Sequence, residues 1–235
     1  MKNINKFYTN STTVTEIDCM DDNAIWPHNI SITVCRIPIR KRDDYSVEKM
    51  QKFAQKLKYN MANNGIVFLI CYAPTEAKAR PFEVAQSMVD VGFHHIDNII
   101  IQKSWLPGKR SDVNLVNSHD YVMYFCNGKV WKLDRAPILN YLKKDEDVPC
   151  PGNTWTVETG SLYESISPDL ALLLLQLTDL LPGSTIFDPF MGNTSTLKAT
   201  IQQGHHFYGF EKDNKKFKQY EKIAKKEEEV RQCIM

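Results

Sequence analysis

The sequence predicts an α/β fold: a mostly parallel sheet with helices on both faces. Two observations predict it. Apolar runs of strand length alternate with stretches of helical spacing, as in Ile30–Cys35, Val47–Met61 and Ile66–Tyr72. One later stretch then reads as strand, turn, helix, strand, with an acid closing each strand. Ile186-Phe187 ends at Asp188, a turn holding Gly192 follows, Asn193-Thr194-Ser195 open a helix, and Phe207–Phe210 ends at Glu211. In nucleotide-type α/β folds such a unit sets a tight turn against the ligand and the second acid on a ribose.

A chain of 235 residues is long enough to bury one core without staples. Its net charge of +1 announces no global basic field, so any nucleic-acid surface must be local. The 6 cysteines are widely spaced and form no zinc pattern, so neither metal nor a disulfide framework is expected. Cys35 and Cys71 sit in apolar runs and read as core. No leader pattern opens the chain and no apolar run reaches the length of a membrane span. An intracellular location is expected.

In chain order, residues 1–15 are polar and read as a loosely held arm ahead of a single domain, 16–235. Ile30–Cys35 is a short β-branched strand feeding a basic loop. Val47 to Met61 is a helix with Met50, Phe53, Ala54 and Leu57 on one face, and Asn63-Asn64-Gly65 reads as its C-cap turn. Ile66–Tyr72 is apolar throughout, the pattern of a central parallel strand. Ala79 to Val91 is a helix stopped by Gly92. His95–Lys103 and Asp120–Phe125 are strands, and Asn127-Gly128 is a turn from which Lys129–Leu133 could pair back. Residues 134–160 read as a surface excursion. Ser167-Pro168 opens an apolar helix to Leu181, and Asn214 to Arg231 is a charged amphipathic helix. His94-His95 and His205-His206 read as surface or strand-edge histidines.

Asp188-Pro189-Phe190-Met191-Gly192-Asn193-Thr194-Ser195-Thr196 resembles the cofactor motif of the amino-group DNA methyltransferases, N6-adenine and N4-cytosine. Gly204, Gly209 and Glu211 resemble the glycine-and-acid pattern that follows it. Thr194 stands where the family's second glycine is usual. Cofactor residues come last, the permuted (β-class) order. The resemblance implies a Rossmann-like class I methyltransferase fold, with 16–160 as catalytic and target half and 161–235 as cofactor half. It implies S-adenosylmethionine held by Asp188, Pro189, Phe190, Gly192, Asn193, Thr194, Ser195 and Glu211. Ser165 stands near the place of a basic residue that touches the cofactor carboxylate in the family.

The same resemblance places the catalytic motif, Asp-Pro-Pro-Tyr in the family, at Arg36-Ile37-Pro38-Ile39. Amino methylation needs an acceptor for the exocyclic N–H and a ring against the flipped base. Arginine accepts nothing. The catalytic loop is therefore atypical, unless the acceptor lies elsewhere, at Asp18, Asp21, Asp22, Asp43, Asp44 or Tyr45. The change Arg36→Asp with Ile39→Tyr is expected to leave the fold intact. Arg40, Lys41 and Arg42 in one loop, with Trp105, Lys109 and Arg110 in another, form a candidate phosphate and stacking surface for DNA. The span from Phe125 to Trp155 is short for a self-sufficient reader of duplex DNA, which points to a homodimer or an active methyltransferase partner. Three functions stay open: a DNA methyltransferase, as in restriction-modification; a non-catalytic member that binds nucleic acid or supports an active partner; and a fold relative modifying another nucleic acid, such as RNA, or a small molecule.

Overall fold

The structure, a computed structural model, describes residues 4–38, 46–73, 78–102, 118–129, 132–142, 152–157 and 166–234. Nine strands form one sheet in the order β1-β2-β9-β8-β3-β4-β6-β5-β7. At its centre β3 (Ile30–Arg36) lies parallel to both β4 (Met61–Cys71) and β8 (Thr185–Asp188). β9 (His206–Phe210) runs parallel to β8. On the other side β6 (His119–Asn127) is antiparallel to β4 and to β5 (His94–Gln102). The carboxyl ends of β8, β9 and β3 therefore open on one edge of the sheet, where ligands of open α/β folds bind.

Both faces are covered. Under α1 (Val47–Asn60) and α2 (Arg80–Asp90), Cys35, Val67, Leu69, Cys71 and Phe125 pack with Phe53, Leu57 and Met88. The opposite residues of the same strands, among them Val34, Phe68 and Tyr124, pack under α3 (Ala136–Tyr141) and α4 (Pro168–Gln176). β4 is thus apolar at both parities because it meets helices on both sides. Its neighbour β6 is antiparallel, so the expected central strand is parallel on one side only. α5 (Ser195–Gln202) and α6 (Asn214–Ile234) close the β8–β9 end, with Leu197, Ile201, Phe217, Tyr220 and Ala224 inward.

Several expectations change. The described part of the expected arm, residues 4–15, is not loosely held. β1 (Lys6–Tyr8) and β2 (Thr12–Thr15) form a hairpin, and β2 pairs with β9. Val14 is fully buried, and Glu228 of α6 accepts from Asn10 N–H at 3.2 Å, Ser11 N–H at 3.0 Å, Ser11 Oγ at 2.7 Å and the Thr9 hydroxyl. The polar turn residues that suggested an arm are the ligands of that carboxylate.

Asn63-Asn64-Gly65 is not a C-cap turn but an irregularity inside β4, where the register to β3 shifts between Ile30 and Ile32. A Cβ on Gly65 would lie 2.9 Å from the Ile30 carbonyl, so the glycine serves close approach of two backbones. Residues 134–160 do not simply cover the surface. Ile138, Trp155 and Val157 are buried, and β7 (Thr154–Thr156) extends the sheet beside β5. The described ends of the 129–133 segment carry no strand, and its middle lies outside the described residues. His205 is buried directly ahead of β9, at the strand edge and not on the surface.

Candidate active site

β8 delivers Asp188 to the sheet edge because Ile186 and Phe187 anchor it from both faces. Its carboxylate is buried and accepts the Phe190 N–H at 3.1 Å, which folds the Pro189–Gly192 turn back over the strand end. Burial pushes Asp188 from the ordinary 3.8 up to about 7, against the Phe190 N–H and the Thr196 hydroxyl, which favour the charged form. Met191 N–H bonds the Phe210 carbonyl at 3.2 Å, which locks the turn to β9. Gly209 leaves room for this: a Cβ there would collide with Met191 Sδ.

Glu211 follows β9. One carboxylate oxygen accepts the Asp213 N–H at 2.9 Å, and the other is buried without a hydrogen bond in place. Burial raises its pKa, while the Asp213 N–H, Lys216 and Tyr220 hold it back. The Tyr220 hydroxyl donates to the Gly192 carbonyl at 3.2 Å and ties α6 to the turn.

Between these elements lies a cavity of about 310 Å³. Pro189, Phe190, Met191 and Gly192 line it from the turn, Phe210, Glu211 and Lys212 from β9, and Arg36 and Pro38 from β3. Ile17, Asp18 and Cys19 form the remaining wall with Lys216. The strand order thus brings Arg36 and Pro38 to the residues expected to hold the cofactor. Ile37 is turned into the core, its N–H bonded to Ile70 O at 3.1 Å.

Arg36 is buried and ion-paired, Nη1 to Asp120 Oδ2 at 2.7 Å. The expectation that Arg36→Asp would leave the fold intact is therefore reversed: removing one partner of a buried pair costs about 3–5 kcal/mol.

Other expected residues fall nearby without lining the cavity. Asn193 Nδ2 donates to the Ile166 carbonyl at 2.8 Å, and its Oδ1 accepts the Ser195 N–H at 3.2 Å. It joins the turn to α4 and opens α5. Ser195 is buried. Thr194, at the missing glycine, has φ −93°, which any residue adopts. The backbone does not demand glycine there. Of the alternative acceptors, Asp18 reaches the cavity, with Lys212 3.7 Å away. Asp21 caps Asn23 N–H at 2.9 Å, and Asp22 is exposed. Ile39, Arg40, Lys41, Arg42, Asp43, Asp44, Tyr45, Trp105, Lys109, Arg110 and Ser165 lie outside the described residues. Cys19, Lys212 and Lys216 were not anticipated as cavity residues. The acid Glu211 was legible from its strand, whereas the other wall comes from a segment more than 170 residues earlier, read as ordinary loop.

A family model described as DNA methylase, of the N6/N4 type, matches residues 39–225. The chain belongs to this DNA methylase family. Solved structures share the methylase fold. One is the PvuII DNA methyltransferase, cytosine-N4-specific: 14% identity, TM-score 0.72, covering 88% of this chain and 84% of that one. Another is the complex of M1.HpyAVI with S-adenosylmethionine: 16% identity, TM-score 0.61, 84% and 89% covered. A third is a DNA modification methylase from Thermus thermophilus complexed with S-adenosyl-L-methionine: 13% identity, TM-score 0.65, 90% and 93% covered. No curated protein matches by sequence. Among the described residues of this chain, no cluster of three or more His, Cys, Asp or Glu could hold a metal ion, and no helix is long and apolar enough to cross a membrane.

Proposed function

We propose that this chain binds S-adenosylmethionine at the ends of β8, β9 and β3 and acts in DNA modification as an amino-group methyltransferase, N6-adenine or N4-cytosine type, with an atypical catalytic loop. The observation that carries this is the cavity itself. It unites the Asp188 turn, the Glu211 carboxylate and the β3 end in one space within the roughly 300–1,000 Å³ of small-molecule sites.

The residues fit the group. The buried, unbonded oxygen of Glu211 suits a ribose hydroxyl, and the exposed Gly192 backbone admits close approach. Phe190, partly buried against Phe53, offers an apolar wall. When bound, the cofactor supplies an electrophilic methyl group. This chain's residues must then orient a base, exclude water and accept the amino protons. Arg36 cannot accept, because a guanidinium only donates. Asp18, on the cavity wall, is the carboxylate in reach of that task.

A second reading is favoured by the Arg36–Asp120 pair. The position that should accept the amino group is committed to a buried ion pair, which suits a subunit that holds cofactor or DNA and leaves transfer to an active partner methyltransferase, or to an assembly with a second copy. Arg40, Lys41, Arg42, Trp105, Lys109 and Arg110 remain the proposed DNA surface.

Calorimetry with S-adenosylmethionine comes first: binding is expected, and a folded sample that does not bind ends the enzyme reading. Tritiated-methyl transfer to DNA, by the protein alone and with cell extract, separates the two. Incorporation with the protein alone supports the enzyme, and incorporation only with extract supports the subunit.

A further inference from the structure

Arg36 lines the cavity, and among the described residues Asp120 holds it from one side. Nη1 meets Asp120 at 2.7 Å. Among the described residues no other partner holds the guanidinium, and neither Nε nor Nη2 is sealed from solvent without one. Since Arg36 lines the cavity, the donors that Asp120 does not take are within reach of a ligand there. Asp120, buried on β6, holds the group in place from behind. A fork fixed in this way matches a carboxylate, with two parallel N–H···O bonds.

The other cavity cations stand elsewhere. Lys212 and Lys216 are exposed beyond β9, beside Asp18 and Glu211 respectively. On the β3 side, Arg36 is the cation among the described lining residues. The start of α4 adds none: Ser167 precedes Pro168, and its hydroxyl accepts the Leu170 N–H at 3.1 Å. Since β9, β8 and β3 are successive strands, Arg36 and Glu211 end strands two spacings apart, roughly 10 Å. A ligand held at its ribose by Glu211 would extend its far end toward Arg36.

We infer that Arg36 is a cofactor-binding residue, anchoring the α-carboxylate of S-adenosylmethionine through the donors that Asp120 leaves open. This rests on the cofactor reading above. It turns the strand-end arginine from a lost acceptor into a positioning group for the amino-acid end of the cofactor.

Calorimetry of the full chain with S-adenosylmethionine and with decarboxylated S-adenosylmethionine tests it. The second ligand keeps sulfonium and amine and lacks only the carboxylate. At least tenfold weaker binding of the decarboxylated ligand is expected. In Arg36→Met with Asp120→Leu, which removes the pair as a unit and leaves no lone buried charge, that ratio should fall to near one. In Arg36→Lys, which keeps the charge and loses the fork, it should fall partway. Equal binding of both ligands by the unaltered chain overturns the role of Arg36 and leaves the cofactor reading standing. A ratio unchanged in either variant overturns it as well. If neither ligand binds the unaltered, folded chain, the cofactor reading itself fails.

Discussion

Asp188 keeps its proton in the folded chain at a pH where the unfolded chain has lost it, because burial outweighs the Phe190 N–H. The linkage follows from the raised pKa. Between about pH 4 and about 7 the native state binds more protons than the unfolded state, so this group's contribution to stability falls as pH rises. The slope is at most ~1.4 kcal/mol per pH unit. Glu211, also raised, adds in the same direction. Urea denaturation of the chain and of Asp188→Asn at pH 5 and pH 8 isolates the effect. The amide variant should gain on the unaltered chain by on the order of 2–3 kcal/mol as pH rises across that window. Parallel pH profiles would refute the buried-carboxyl account. At the same scale, Gly209→Ala drives a methyl group into Met191, and a loss of about 1–3 kcal/mol is expected by the same assay. An unchanged denaturation midpoint would mean that Met191 moves freely, and that the turn is not wedged against β9.

At the scale of elements, the junctions decide more than the elements. Glu228 alone gathers the Thr9–Ser11 turn onto α6. Glu228→Ala leaves two backbone N–H groups and two hydroxyls to find water, and should cost about 1–3 kcal/mol. The check is hydrogen exchange: Val14, Thr15 and their β9 partners should lose protection first. Retained protection there would show that β2 is held by β9 alone. Gly65→Ala, at the shift between β3 and β4, should destabilise by a similar amount, because the new methyl group meets the Ile30 carbonyl. The strands and helices themselves were legible, since Phe53, Leu57, Val67 and Leu69 follow their periods. The irregular stretch was not. Asn63-Asn64-Gly65 has the composition of a turn, and pairing to β3 at Met61 and Ile66, with pairing to β6 at Gly65, makes it strand.

At the scale of the whole molecule, the site is a property of strand order. β2 covers the outer side of β9, which would otherwise be the sheet edge beside Glu211. Removal of residues 1–15 should expose that edge, so the truncated chain is expected to melt several degrees lower and to self-associate. Light scattering during a thermal ramp checks this, and a monomeric truncation melting like the full chain would show the hairpin to be dispensable. The candidate site was legible in part for the same reason. Asp188, Gly192 and Glu211 sit in one local unit, where spacing announces them. Arg36 was placed beside that unit by the family resemblance and Asp18 was one of several acids offered, whereas Lys216 reaches the cavity from α6 with no local pattern to mark it.

The sequence by itself determined the alternation of strands and helices, the two acids closing β8 and β9, and the family to which they point, because periodicity, turn chemistry and motif spacing are local. Tertiary structure decided what those parts do together. It placed β3 beside β8, so that Arg36 faces the turn at Asp188, and it set Asp120 behind that arginine from across β4. A charge at a strand end has no fixed meaning until its partner is known, and here the partner lies 84 residues away.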